Sequence, residues 1–118
     1  MTGVQTCALP ISLRTNQLTS LDVSNLTKLG SLTCYENKLT TFNASGCKSL
    51  KLIRAYENKI TSLDVSECTA LNTLAFYSNK IAELDVSGCP NIEFISLMNN
   101  GTHTLKLPPN PSNKLQIM

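Results

Sequence analysis

Apolar residues recur along this chain in a pattern that repeats every 21 positions. Aligned on a shared asparagine, the first two copies read Ile11-x-Leu13-x-x-Asn16-x-Leu18-x-x-Leu21-x-Val23 and Leu32-x-Cys34-x-x-Asn37-x-Leu39-x-x-Phe42-x-Ala44. The next two are Ile53-x-Ala55-x-x-Asn58-x-Ile60-x-x-Leu63-x-Val65 and Leu74-x-Phe76-x-x-Asn79-x-Ile81-x-x-Leu84-x-Val86. A fifth opens with Ile95-x-Leu97-x-x-Asn100 and then decays, although Leu105 and Leu107 still fit its last two columns. Leu29, Leu50, Leu71 and Ile92 hold a further apolar column three residues ahead of each copy. A fixed period of this length means one supersecondary unit copied along the chain, each unit burying its apolar row against the next.

Within each unit a run such as Leu32-Thr33-Cys34-Tyr35 alternates apolar and polar, which predicts a short strand with one face buried. Leu21-Asp22-Val23-Ser24 and its copies at 63–66 and 84–87 alternate in the same way, which predicts a second extended segment on the opposite wall. Ser24, Ser45, Ser66 and Ser87 follow, placed to cap a single helical or 3₁₀ turn over residues such as Glu67 to Ala70. At each Asn the chain must leave the strand, stranding backbone N–H and C=O groups in the interior. An amide side chain carries both a donor and an acceptor, so Asn16, Asn37, Asn58, Asn79 and Asn100 are read as a structural ladder satisfying their own rung and the next.

These residues resemble the leucine-rich repeat family, whose template runs L-x-x-L-x-L-x-x-N-x-L. The Leu18–Ser24 stretch, Leu-Thr-Ser-Leu-Asp-Val-Ser, and nearly the same at Ile60–Ser66, look like the short repeats of bacterial surface and secreted proteins. The resemblance covers residues 11–107. It implies a leucine-rich repeat solenoid with parallel β-strands on the concave face, and turns, short 3₁₀ segments or short strands on the convex face. It also implies that the strand face meets partners, and that the protein works outside the cell or at its surface.

Composition narrows the function by exclusion. The chain has 118 residues, a net charge of +2 and 15% charged residues, without a basic cluster, so nucleic acid and anionic membranes are not expected partners. No apolar stretch approaches the ~20 residues of a membrane span. Cys47, Cys68 and Cys89 lie one period apart and Leu26 takes the equivalent place, marking an apolar slot filled by free thiols. Cys34 likewise shares a core column with Leu13, Ala55, Phe76 and Leu97. No two cysteines have zinc-ligand spacing, so no metal and no cofactor are expected.

The ends depart from the period. Residues 1–10, MTGVQTCALP, lack the limb that precedes every later strand and are read as translated sequencing-adapter read-through, with a poor end cap as the alternative. Residues 108–118 open with Pro108-Pro109-Asn110-Pro111 and form a degenerate tail, in which 114–117 reads as a ragged cap strand or the start of another unit. The chain reads as a piece of a longer array.

Candidate chemistry sits on the outward strand positions. One column holds Arg14, Tyr35, Tyr56, Tyr77 and Met98, and includes all three tyrosines of the protein. Glu36 and Glu57 lie in the column beside it and Arg54 in the column before it. Tyr35, Tyr56, Tyr77, Glu36, Glu57, Arg54 and Arg14 are therefore the candidate surface for a protein or glycan partner. Cross-strand packing of the rings is the rival reading, since aromatic ladders stabilise a sheet without a ligand. At the level of the whole protein the same choice is between an interaction or adhesion module and a structural spacer. Asp22, Asp64 and Asp85, one per rung, read as a solvated row rather than a calcium site. His103 is the only histidine and stands in the decayed unit, so an enzyme is not expected.

Overall fold

The computed structural model describes residues 11–13 and 17–118. The 21-residue period becomes a stack of coils, each crossing two walls. On the first wall β1 (Ile11–Ser12), β3 (Ser31–Thr33), β5 (Leu52–Arg54), β7 (Thr73–Ala75), β9 (Phe94–Ser96) and β11 (Gln116–Ile117) form one parallel sheet in that order. The register places Leu32 beside Ile53, Ile53 beside Leu74 and Leu74 beside Ile95. Pairing continues beyond the regular strands, with the Cys34 amide donating to the Arg54 carbonyl at 2.8 Å and the Glu57 amide to that of Tyr77 at 3.0 Å. The result is a parallel-strand β-solenoid of about five turns, a slab of 36 × 28 × 17 Å.

The second wall carries the other limb of each coil: β2 (Ser20–Asp22), β4 (Thr41–Asn43), β6 (Ser62–Asp64), β8 (Glu83–Asp85) and β10 (Thr104–Lys106). The extended return limb is as the alternation predicts. Among the described residues, however, no helix or 3₁₀ segment forms. Residues 65–71 make two successive tight turns instead, with Cys68 N–H donating to Val65 C=O at 3.2 Å and Leu71 N–H to Cys68 C=O at 3.1 Å. The serines do not cap them. Ser66 donates both its amide (2.9 Å) and its hydroxyl (2.6 Å) to Asp64 Oδ1, and Ser87 does the same to Asp85. The aspartate is the better acceptor, so it organises the turn and serine serves as donor. Asn25 and Glu67 take left-handed φ of 62° and 61° here, and Gly46 a φ of 77°.

The core is the space between the walls. The predicted columns at Leu29, Leu32, Cys34, Leu39 and Cys47 are buried along the stack, except that Leu13, Leu18 and Leu26 of the first coil are only partly buried. Size varies within a column and is compensated across it. Ala55 is the small residue of its column in the third coil. Phe42 of the second coil and Phe76 of the fourth meet edge to face, 5.3 Å apart at 87°.

The last coil keeps its register although its sequence has drifted. Thr104, Leu105 and Lys106 pair with Glu83, Leu84 and Asp85, and after the prolines β11 returns to pair with β9. One irregularity interrupts the second wall: β2-β4-β6 and β8-β10 are separate sheets, with no ladder between β6 and β8.

Candidate functional site

The three tyrosines stand on the solvent face of the first wall, because they sit one residue beyond an inward-facing core position and strand side chains alternate. Register brings them into line. Tyr35 and Tyr56 stack with ring centroids 4.5 Å apart and planes within 8°, and Tyr56 and Tyr77 stack at 4.5 Å and 7°. All three are half-buried. Burial, then the neighbouring phenols of Tyr35 and Tyr77, push the Tyr56 hydroxyl above its ordinary value of 10.0, so the central ring of the stack is uncharged at neutral pH.

Glu36, Glu57 and Arg54 are exposed around this stack, and Met98 extends the column with 55% of its surface exposed. Arg14 and Asn16 lie outside the described residues. Glu36 and Glu57 adopt left-handed φ of 58° and 59°, as do Ser78 and Asn99 at 60° in the same column. That turn directs the chain inward, and the next residue is the ladder asparagine.

The ladder bonds are regular. Asn58 Nδ2 donates to Ala55 C=O of its own coil and to Cys34 C=O of the coil before, both at 3.1 Å. Its Oδ1 accepts the Asn37 and Leu39 amides of the preceding coil, each at 3.1 Å. Asn79 and Asn100 repeat the arrangement on Ile60 and Ile81. The asparagine thus serves its own rung and the one before, not the one after, because the loop leading inward points the amide back down the stack.

Among the described residues the four thiols, Cys34, Cys47, Cys68 and Cys89, are free and buried. Burial pushes Cys34 and Cys68 up to about 12 and Cys89 to about 11, so each is a neutral thiol and a poor nucleophile or metal ligand. Cys47 and Cys68 donate to the Val23 and Ala44 carbonyls at 3.1 Å, whereas Cys89 reaches Val65 C=O only at 3.6 Å. His103 is exposed, with Nδ1 2.9 Å from Thr104 Oγ1. Among the described residues no group of three His, Cys, Asp or Glu side chains is placed to hold a metal, and no helix is long and apolar enough to cross a membrane.

Sequence reasoning found the tyrosine column but missed the interruption between β6 and β8. The signal was available in the outward row Asp22, Asn43, Asp64, Asp85, Lys106, where Asp64 and Asp85 are the one pair of consecutive acids. No family model, curated protein or solved structure matches the chain.

Proposed function

We propose that this chain is a protein-interaction module of the leucine-rich repeat type, acting outside the cell or at its surface through the tyrosine-bearing face of the first wall. One observation carries the reading: three stacked, half-exposed phenols lie in a line on an open sheet face, bordered by Glu36, Glu57 and Arg54. Rigid aromatic side chains with polar tips offer contact area at little conformational cost. The repeat template and the asparagine ladder support the family assignment, and the helix-free return limb differs from the typical form of that repeat.

Stacking bears on the choice of partner. Both faces of Tyr56 are covered by neighbouring rings at 4.5 Å, so it has no face left for a pyranose ring. What it presents is a comb of ring edges and hydroxyls between charged groups, which suits an extended polypeptide better than a sugar.

The Tyr35→Ser/Tyr56→Ser/Tyr77→Ser variant tests this. Immobilised wild-type chain is expected to retain protein partners from the medium of its source that the triple variant releases, while circular dichroism shows both folded. Equal retention by a folded triple variant refutes the reading and leaves the spacer role, in which the ladder only stiffens the sheet. Retention of a glycan instead, lost in the variant, keeps the surface and changes the ligand class.

A further inference from the structure

The second wall breaks at one place only, and its chemistry differs there. Between other successive coils the bonds at the Val23 and Thr40 positions recur, including His103 N–H to Ala82 C=O at 2.9 Å, whereas the bond at the Asn25 position is made at the first two junctions only. Val23, Ala44 and Val86 amides donate to the Asn43, Asp64 and Lys106 carbonyls at 2.8–2.9 Å. Asn25 and Gly46 amides donate to Ser45 and Ser66 at 2.8 and 2.9 Å, and Thr40 and Thr61 amides to Thr19 and Thr40 at 2.9 and 3.1 Å. Between the third and fourth coils the equivalent bonds from Val65, Glu67 and Ala82 are all absent among the described residues. The first wall is intact at the same level, with Ala55, Glu57 and Lys80 amides bonded across at 2.9–3.0 Å. The coils are therefore wedged apart on one side. Leu63 is half-buried where its column mates Leu21, Phe42 and Leu84 are buried, and the Cys89 thiol contact is stretched at the same level. A cavity of about 310 Å³ opens there between Leu63, Val65, Asp64, Glu67 and Asp85.

Charge changes at the same place. Register pairs Asp22 with Asn43, Asn43 with Asp64, and Asp85 with Lys106. Closing the remaining step would set Asp64 directly beside Asp85, with Glu67 and Glu83 on the same lips. Like charges directly opposite on neighbouring strands oppose pairing.

We propose that the seam between β6 and β8 is a charge-gated opening, held apart by its own carboxylates and closing into a continuous five-stranded second wall when one of them is neutralised. The gate is a conformational device separate from the tyrosine face and does not rest on it. Asn43 supplies the means to test it, because its Oδ1 accepts the Ser45 amide at 2.9 Å as Asp64 accepts Ser66, without the charge.

Asp64→Asn therefore removes the repulsion and keeps the turn, with Asp85→Asn as an independent second variant. Hydrogen exchange at the Val65 amide reads the gate directly. In the wild-type chain Val65 exchanges faster than Ala44 and Val86. In either variant its protection rises by about tenfold or more, towards theirs, as a newly made sheet bond requires. Asp22→Asn, whose neighbour is already neutral, leaves Val65 unchanged. Val65 exchanging at the wild-type rate in both neutralised variants overturns the proposal. So does an Ala82→Thr variant that closes the seam with both aspartates in place, because the missing threonine would then be the cause.

Discussion

Asn58 carries its weight through two amides. The carbonyls it meets have other donors: Cys34 C=O also receives Asn37 Nδ2, and Ala55 C=O receives Asn79 Nδ2. The Asn37 and Leu39 amides both donate to Asn58 Oδ1, which the leucine variant would remove. Asn58→Leu should cost about 1–3 kcal/mol for each orphaned amide, read as a lower urea midpoint with unchanged m-value. Asn58→Asp keeps the acceptor but turns a second oxygen toward carbonyls, so it should destabilise at neutral pH and recover in acid. The sign follows from linkage: a buried carboxyl whose folded pKa is raised binds its proton in the folded state first, so stability is lost as pH rises. A loss below about 0.5 kcal/mol in the leucine variant would mean that the ladder is not what holds these turns. The asparagine was legible because a polar residue at a fixed interior position needs partners. The left-handed conformations of Glu36 and Glu57 were not, since glutamate carries no local signal for φ > 0 and tertiary pairing imposes it. The serine role was misread for a related reason. Hydroxyl and carboxylate compete for the same amide, and spacing alone does not say which accepts.

Strands of two or three residues cannot persist singly; each exists by pairing with a copy 21 residues away, or 22 for β11 on β9. That is why hydrophobic alternation sufficed to find them, and why β10 survives in a coil whose sequence has drifted. The tyrosine stack is a property of this pairing, with ring spacing set by strand spacing. Tyr56 has two stacked neighbours and Tyr77 one among the tyrosines, so their truncations should differ. With aromatic pairs worth about 0.5–1.5 kcal/mol beyond burial, Tyr56→Ala should cost roughly twice as much as Tyr77→Ala. Chemical denaturation of the two single variants and the double variant measures the coupling. Equal losses and additive behaviour would show that the rings do not support one another, and would leave the binding surface as their sole use. The candidate site was thus legible as a column of residues. Its stacked geometry was hidden, because sequence shows which residues share a face and not how their rings turn.

A one-dimensional stack distributes stability as a sum of coil and neighbour terms, so damage at one end should stay local. The C-terminal end offers the test. There β11 covers the last full coil: Met118 accepts the Leu97 amide at 2.8 Å and donates to Ile95 C=O at 2.9 Å, while the Gln116 amide reaches Glu93 at 2.9 Å. Beneath this strand Ile95 and Leu97 are buried, whereas Ile117 and Met118 leave 47% and 59% of their own surfaces in water. Removing residues 112–118 uncovers the apolar flank of the fifth coil, at on the order of 1.5–3 kcal/mol for each large side chain exposed. Amides of β9 and β10 should then lose exchange protection by about tenfold or more, while those of β3, β4 and β5 keep theirs. The seam sharpens the expectation. Between β6 and β8 only the first wall carries strand pairing from one coil to the next, so loosening should spread back to the seam and weaken beyond it. Uniform loss of protection from β1 to β10 would instead mean that the coils unfold as one cooperative block, and that nearest-neighbour stacking is the wrong description of how this sequence holds its shape.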